Sequence, residues 1–202
     1  MFTKITNMNV KSIETLLQQQ AQLGVILGVN DIQNNRFMRD YSTGKMIGVQ
    51  KMNTDNHGWD GIFKNGRYYE NKNVKVTAKA KTSFSVTFQD TSTDKLNELA
   101  DEGVITTQSF WGNDGKRAFT LVGNTRDIGD YLKKSYNPDS RKTSMVSMTK
   151  CISRGFKLVA GTCSKQQVID IISSKFPRLG KTLTTADIYT EKEAKELVAS
   201  MM

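Results

Sequence analysis

Apolar and polar positions recur along this chain with two different periods, and each period predicts its own kind of element. Apolar residues fall at Val10, Ile13, Leu16, Leu17 and Ala21, the spacing that lines one face of an amphipathic helix. Asn9 suits an N-cap and Gly24 a stop, so a helix is predicted from about Asn9 to Gln22. Residues 28–57 are polar and rich in Asn and Gly, and no element is assigned to them. Beyond them the period shortens to two. Trp59–Phe63 and Arg67–Val76 flank Asn65-Gly66, a hairpin signal, and Ser83–Gln89 alternates as a third strand.

Thr93 is placed to cap a helix reaching about Asp101, with Leu96, Leu99 and Ala100 inward and Gly103 as its end. Val104–Trp111 and Ala118–Val122 are predicted strands joined through Asn113-Asp114-Gly115. Asp127–Tyr136 and Ser164–Ser174 are predicted helices, Gly155–Ala160 a strand and Glu191–Ala199 a last helix; Met145–Ile152 is open to either state. The order is helix, three strands, helix, strand, then mixed elements. It predicts an α/β (or α+β) fold with a mixed sheet flanked by helices.

A chain of 202 residues fits one domain. Its core is expected over residues 1–163, with a helical extension over 164–202. No apolar run is long enough to span a membrane. The first residues lack the apolar stretch of a secretion signal, and two cysteines without a metal-ligand pattern read as free thiols, so a cytoplasmic setting is expected. A single histidine, His57, excludes zinc sites of the HExxH type and paired-histidine nucleases.

The net charge of +9 is unevenly spread. Residues 104–163 hold ten Lys and Arg against four Asp and Glu, a surplus that marks a candidate polyanion-facing surface. Its stock is Lys116, Arg117, Arg126, Lys133, Lys134, Arg141, Lys142, Lys150, Arg154 and Lys157.

Candidate chemistry is concentrated between His57 and Lys72. Glu70 and Lys72 are two apart on a predicted strand, so they leave the same face, and Asp60 lies on the preceding strand of the same hairpin. Two carboxylates and an ammonium on one face can hold a hard divalent cation such as Mg²⁺ and act on a phosphodiester. The register decides whether they meet. Were Asn65-Gly66 a two-residue turn, Asp60 would pair with Asn71 and face away from Glu70. With Lys64-Asn65-Gly66 as a three-residue loop, Phe63 pairs with Arg67 and Asp60 with Glu70. His57 reads as a solvated loop residue, with a place near a scissile phosphate as the alternative.

Asp60, nine intervening residues and Glu70-Asn71-Lys72, on a hairpin after an N-terminal helix and before a strand-helix-strand, resemble the PD-(D/E)xK nuclease superfamily. The resemblance covers roughly residues 9–123. Trp59 stands where that family often has proline, and Asn71 fills a middle position that is usually apolar. The resemblance implies a restriction-endonuclease-like core in which Asp60 and Glu70 bind Mg²⁺ and Lys72 is catalytic. Many members add an acid from the first helix, which here would be Glu14.

DNA contacts are expected from Lys75, Lys79 and Lys81 beyond the site and from Arg141, Lys142 and Ser144 on the loop after Asn137-Pro138. The implied activity is Mg²⁺-dependent cleavage of duplex DNA by a homodimer of the type II restriction or homing kind. A junction resolvase of the same fold and a non-catalytic basic DNA- or RNA-binding protein are the alternatives.

Overall fold

The structure, a computed structural model, describes residues 10–26, 36–53, 58–76 and 84–202. In chain order the elements are α1 (Val10–Ile26), α2 (Arg36–Ile47), β1 (Lys51–Met52), β2 (Gly61–Ile62), β3 (Tyr68–Lys75), β4 (Ser85–Phe88), α3 (Thr93–Asn97), β5 (Ile105–Trp111) and β6 (Arg117–Asn124). They continue with α4 (Gly129–Ser135), β7 (Ser144–Ser147), α5 (Met148–Ser153), β8 (Lys157–Ala160), α6 (Lys165–Lys175), α7 (Pro177–Gly180), β9 (Ile188–Tyr189) and α8 (Ala194–Ser200). Seven strands make one mixed sheet in the order β1-β2-β3-β5-β6-β8-β9, and β4 and β7 form a separate two-stranded ribbon. In the large sheet β3 runs parallel to β5 and β8 to β9, while the other neighbours are antiparallel.

Every residue of β5 and β6 is buried, because both faces of the sheet are covered. On one face Phe110, Phe119, Leu121 and Leu158 pack with Phe84, Val86 and Phe88 of the ribbon and with residues of α3, α4, α5 and α6. On the other, Tyr69, Ile105, Val122 and Val159 pack against Met46 and Ile47 of α2 and Ala194, Leu197 and Val198 of α8. Residues 164–202 thus contribute to both cores and supply the edge strand β9. No described helix is long and apolar enough to cross a membrane.

The chain departs from its predicted elements in instructive places. Helix α1 runs through Gly24 to Ile26, and Leu16, expected inward, is exposed while Ile13 and Leu17 are buried. Ser92, not Thr93, caps α3, its hydroxyl accepting the Lys95 N–H at 3.1 Å. The helix then widens into a π turn over Glu98–Glu102, and Gly103, with φ +82°, ends it; a β-carbon there would lie 2.2 Å from Asn124 Oδ1. The third strand expected at Ser83–Gln89 is β4, which lies outside the large sheet because Phe84, Val86 and Phe88 turn onto its apolar face. The three antiparallel strands that lead the sheet are instead β1, β2 and β3. Met145–Ile152 is strand and then helix, with Ser147 capping α5.

Candidate active site

The β2–β3 hairpin adopts the three-residue loop. Phe63 N–H donates to Arg67 O at 2.9 Å and Gly66 N–H to Phe63 O at 3.0 Å. Gly66 has φ +86°, a conformation open to glycine at no steric cost. From that closure follow the pairs Ile62↔Tyr68 and Gly61↔Tyr69, and one step further Asp60 stands opposite Glu70. Tyr68, Glu70, Lys72 and Val74 leave β3 on the face toward the ribbon; Tyr69, Asn71, Asn73 and Lys75 leave it toward α2.

Glu70 is 3% exposed. Its Oε1 accepts a hydrogen bond from Lys72 Nζ, and its Oε2 has no hydrogen-bond partner. The Lys72 side chain is 25% exposed and its ammonium lies 5.3 Å over the Phe88 ring. The Asp60 carboxylate accepts the Asn71 backbone N–H at 2.7 Å through Oδ2. Burial, followed by the carboxylates of Glu70 and Asp40, pushes the Asp60 carboxyl up to about 7, against the lowering pull of the Asn71 N–H and the Lys72 ammonium. Three acids and one lysine therefore share one field.

Asp40 had no counterpart in the sequence reading. It sits on α2, 4% exposed, and its Oδ1 accepts from Asn71 Nδ2 and Asn73 Nδ2, each at 2.7 Å. Asn71 in turn accepts at Oδ1 from Thr107 and Ser109, at 2.7 and 2.9 Å, and Thr43 of α2 shares a hydrogen bond with Ser109 at 3.0 Å. The polar residue at the middle of Glu70-Asn71-Lys72 is thus buried in a hydrogen-bonded seam between α2 and the sheet, where its partners offset its desolvation. That seam fixes the strand whose backbone N–H holds Asp60.

Glu14 is elsewhere. It accepts the Arg117 guanidinium at 3.2 Å and the Ser42 hydroxyl at 3.5 Å, at the end of β5 where Trp111 pairs with Arg117, whereas Glu70 pairs with Thr106. Five residues of strand, about 17 Å, separate the two places. Burial raises the Glu14 carboxyl, and Arg117 partly offsets it.

The expected phosphate contacts divide. Arg141 and Lys142 are exposed, at φ +52° and +42°, and their carbonyls accept the N–H groups of Asp90 and Thr91 at 3.0 Å. Those bonds lie two and three residues past Phe88, whose ring is beneath Lys72. Ser144 is fully buried and donates to Leu132 O at 2.7 Å, so its hydroxyl is turned inward rather than toward a phosphate. Lys75 is exposed at the end of β3. His57, Lys79 and Lys81 lie outside the described residues. Of the ten basic residues of 104–163, eight are exposed, Lys116 is half-buried and Arg117 is wholly buried.

A hard divalent cation fits the donor set. Glu70 Oε2 is a buried carboxyl oxygen without a hydrogen-bond partner, and burial together with the neighbouring carboxylates disfavours the Asp60 anion; a cation answers both. Among the described residues no three His, Cys, Asp or Glu side chains form one metal-holding group. Two carboxylates are the usual protein share for Mg²⁺, which keeps several waters and takes substrate phosphate oxygens.

No protein-family model matches this chain, and no curated protein matches it.

Proposed function

We propose that the chain is a Mg²⁺-dependent endonuclease of the restriction-endonuclease-like fold that hydrolyses DNA phosphodiester bonds. The observation that carries this reading is half-buried Asp60, held by the Asn71 N–H, standing across the hairpin from buried Glu70 with the Lys72 ammonium on Glu70. The order of elements supports it, since the acidic hairpin is followed by α3 and a parallel β5.

Asp60 and Glu70 would hold the metal, which when bound supplies Lewis-acid polarisation of the phosphate and a more acidic water. Lys72, partly exposed beside them, directs its ammonium at the phosphate oxygens where negative charge develops. The Asn71 N–H keeps Asp60 aligned, and the Asp40 seam keeps Asn71 in place. In this reading Asp40, not Glu14, is the helix-borne acid next to the site. Arg141 and Lys142, both exposed, would hold the backbone of the substrate. A homodimer would give one site per strand.

The test is cleavage of supercoiled plasmid and long linear duplex with Mg²⁺, comparing the native chain, Glu70→Ala and an EDTA control. Metal-dependent products that disappear with Glu70→Ala are expected. Intact DNA of duplex, branched and single-stranded form, together with salt-sensitive binding, would replace the enzyme with a DNA- or RNA-binding protein that uses the exposed basic residues of 104–163.

A further inference from the structure

Immediately beside the acidic hairpin lies a pocket of about 440 Å³ lined by Gly58, Trp59, Ser92, Asp94, Lys95, Glu98 and Glu102. Trp59 directly precedes Asp60. Its ring stacks on Tyr68, with centroids 5.9 Å apart and planes 24° apart, and Tyr68 leaves β3 on the same face as Glu70, two residues or about 7 Å away. The indole N–H is held by Glu98 Oε1 at 3.2 Å, and the Lys95 ammonium rests 4.3 Å over the indole ring. The pocket therefore has an aromatic floor held by Tyr68 and Glu98, one ammonium on that floor and three carboxylates around it, those of Asp94 and Glu102 on exposed residues.

We propose that this pocket is a nucleobase subsite, in which a nucleotide next to the scissile phosphate is unstacked onto Trp59 while its amino-bearing edge donates to the wall carboxylates. The inference rests on the endonuclease reading and extends it to the substrate: DNA carrying an unpaired nucleotide at the point of cleavage. An aromatic face one residue from a metal-binding acid is within one nucleotide of the phosphate that acid serves. Carboxylates repel phosphate but accept hydrogen bonds from the N4 amine of cytosine, so the wall selects the base rather than the backbone. A paired base has both faces covered by its neighbours in the duplex, so only an unpaired or extruded base reaches an indole face. When the base arrives it takes the place of the Lys95 ammonium, which is then released beside the incoming phosphate.

Two readouts test this. Trp111, the other tryptophan, is fully buried, so quenching of intrinsic fluorescence by added oligonucleotide reports on Trp59. In EDTA, the native chain should be quenched by DNA with a short unpaired cytosine flap and not by the blunt duplex of the same sequence, with a thymine flap weaker. In Mg²⁺, flap cleavage should exceed duplex cleavage, and Trp59→Ala should lose about tenfold or more of that preference while Trp59→Phe keeps most of it. Equal quenching by blunt and flapped DNA, an unchanged preference in Trp59→Ala, or quenching by spermidine but not by DNA would each overturn the subsite. Glu70-dependent cleavage without quenching leaves the nuclease and removes the subsite. Quenching by the cytosine flap with no cleavage of any DNA keeps the subsite and removes the nuclease.

Discussion

Asp60 is held in a state that the fold itself disfavours. A carboxyl with an ordinary value of 3.8 that is pushed to about 7 binds its proton more tightly in the native state than in the unfolded chain. Stability therefore falls as pH rises through that window, and the cost is complete above it. Glu14, also raised by burial, tilts the curve in the same direction. Replacing Asp60 by Asn keeps an oxygen for the Asn71 N–H and removes the anion. Urea unfolding from pH 5 to pH 8 should show the native midpoint declining and the Asp60→Asn midpoint declining less, with the variant the more stable at pH 8. Equal slopes would mean that this carboxyl is not strained by its neighbours. Gain of stability together with loss of cleavage is the mark of a residue kept for chemistry.

At the level of elements, the strands and helices with an apolar rhythm were legible, and so was the hairpin that carries Asp60, Glu70 and Lys72. Helix α2 was not, although it brings Asp40 to the site. Among its described side chains the buried positions are Asp40, Ser42, Thr43, Gly44, Met46 and Ile47, and four of the six are polar or lack a side chain, so no continuous apolar stripe marks the helix. The same holds inside the sheet, where Asn71, Thr107 and Ser109 are buried because they bond one another. Pairing was the other gap: alternation in Ser83–Gln89 identifies a strand without naming its partner, and β4 found β7. The hairpin loop offers a sharp test. A β-carbon on Gly66 meets nothing within 4 Å, so Gly66→Ala should cost only the left-handed backbone penalty of about 1–2 kcal/mol in urea unfolding. Cleavage by the folded fraction should fall further, because a loop that relaxes to two residues rotates Asp60 away from Glu70. A stability loss with unaltered cleavage would show that the register tolerates the change.

Across the whole molecule, Arg117 ties together segments that are far apart in the chain. Its guanidinium is wholly buried, meets Glu14 of α1 and Glu191 before α8 at 3.2 and 2.5 Å, donates to the Ser42 hydroxyl oxygen at 3.2 Å, and lies 5.8 Å from the Trp111 ring. Removing Arg117 leaves two partly exposed carboxylates without their cation, so Arg117→Ala should lower unfolding free energy by about 1–3 kcal/mol. Glu14→Gln should lower it less and leave the cleavage rate of the folded fraction unchanged; a rate loss without a stability loss would return Glu14 to the site. This arrangement also sets a schedule for a chain made from its N-terminus. Arg117 is synthesised 74 residues before Glu191, which at 5–20 residues per second is about 4–15 s. Throughout that interval Arg117 has one of its two carboxylate partners, Glu14, already translated and the other still to come. A chain halted before Glu191 would carry Arg117 with Glu14 as its one carboxylate partner of the two.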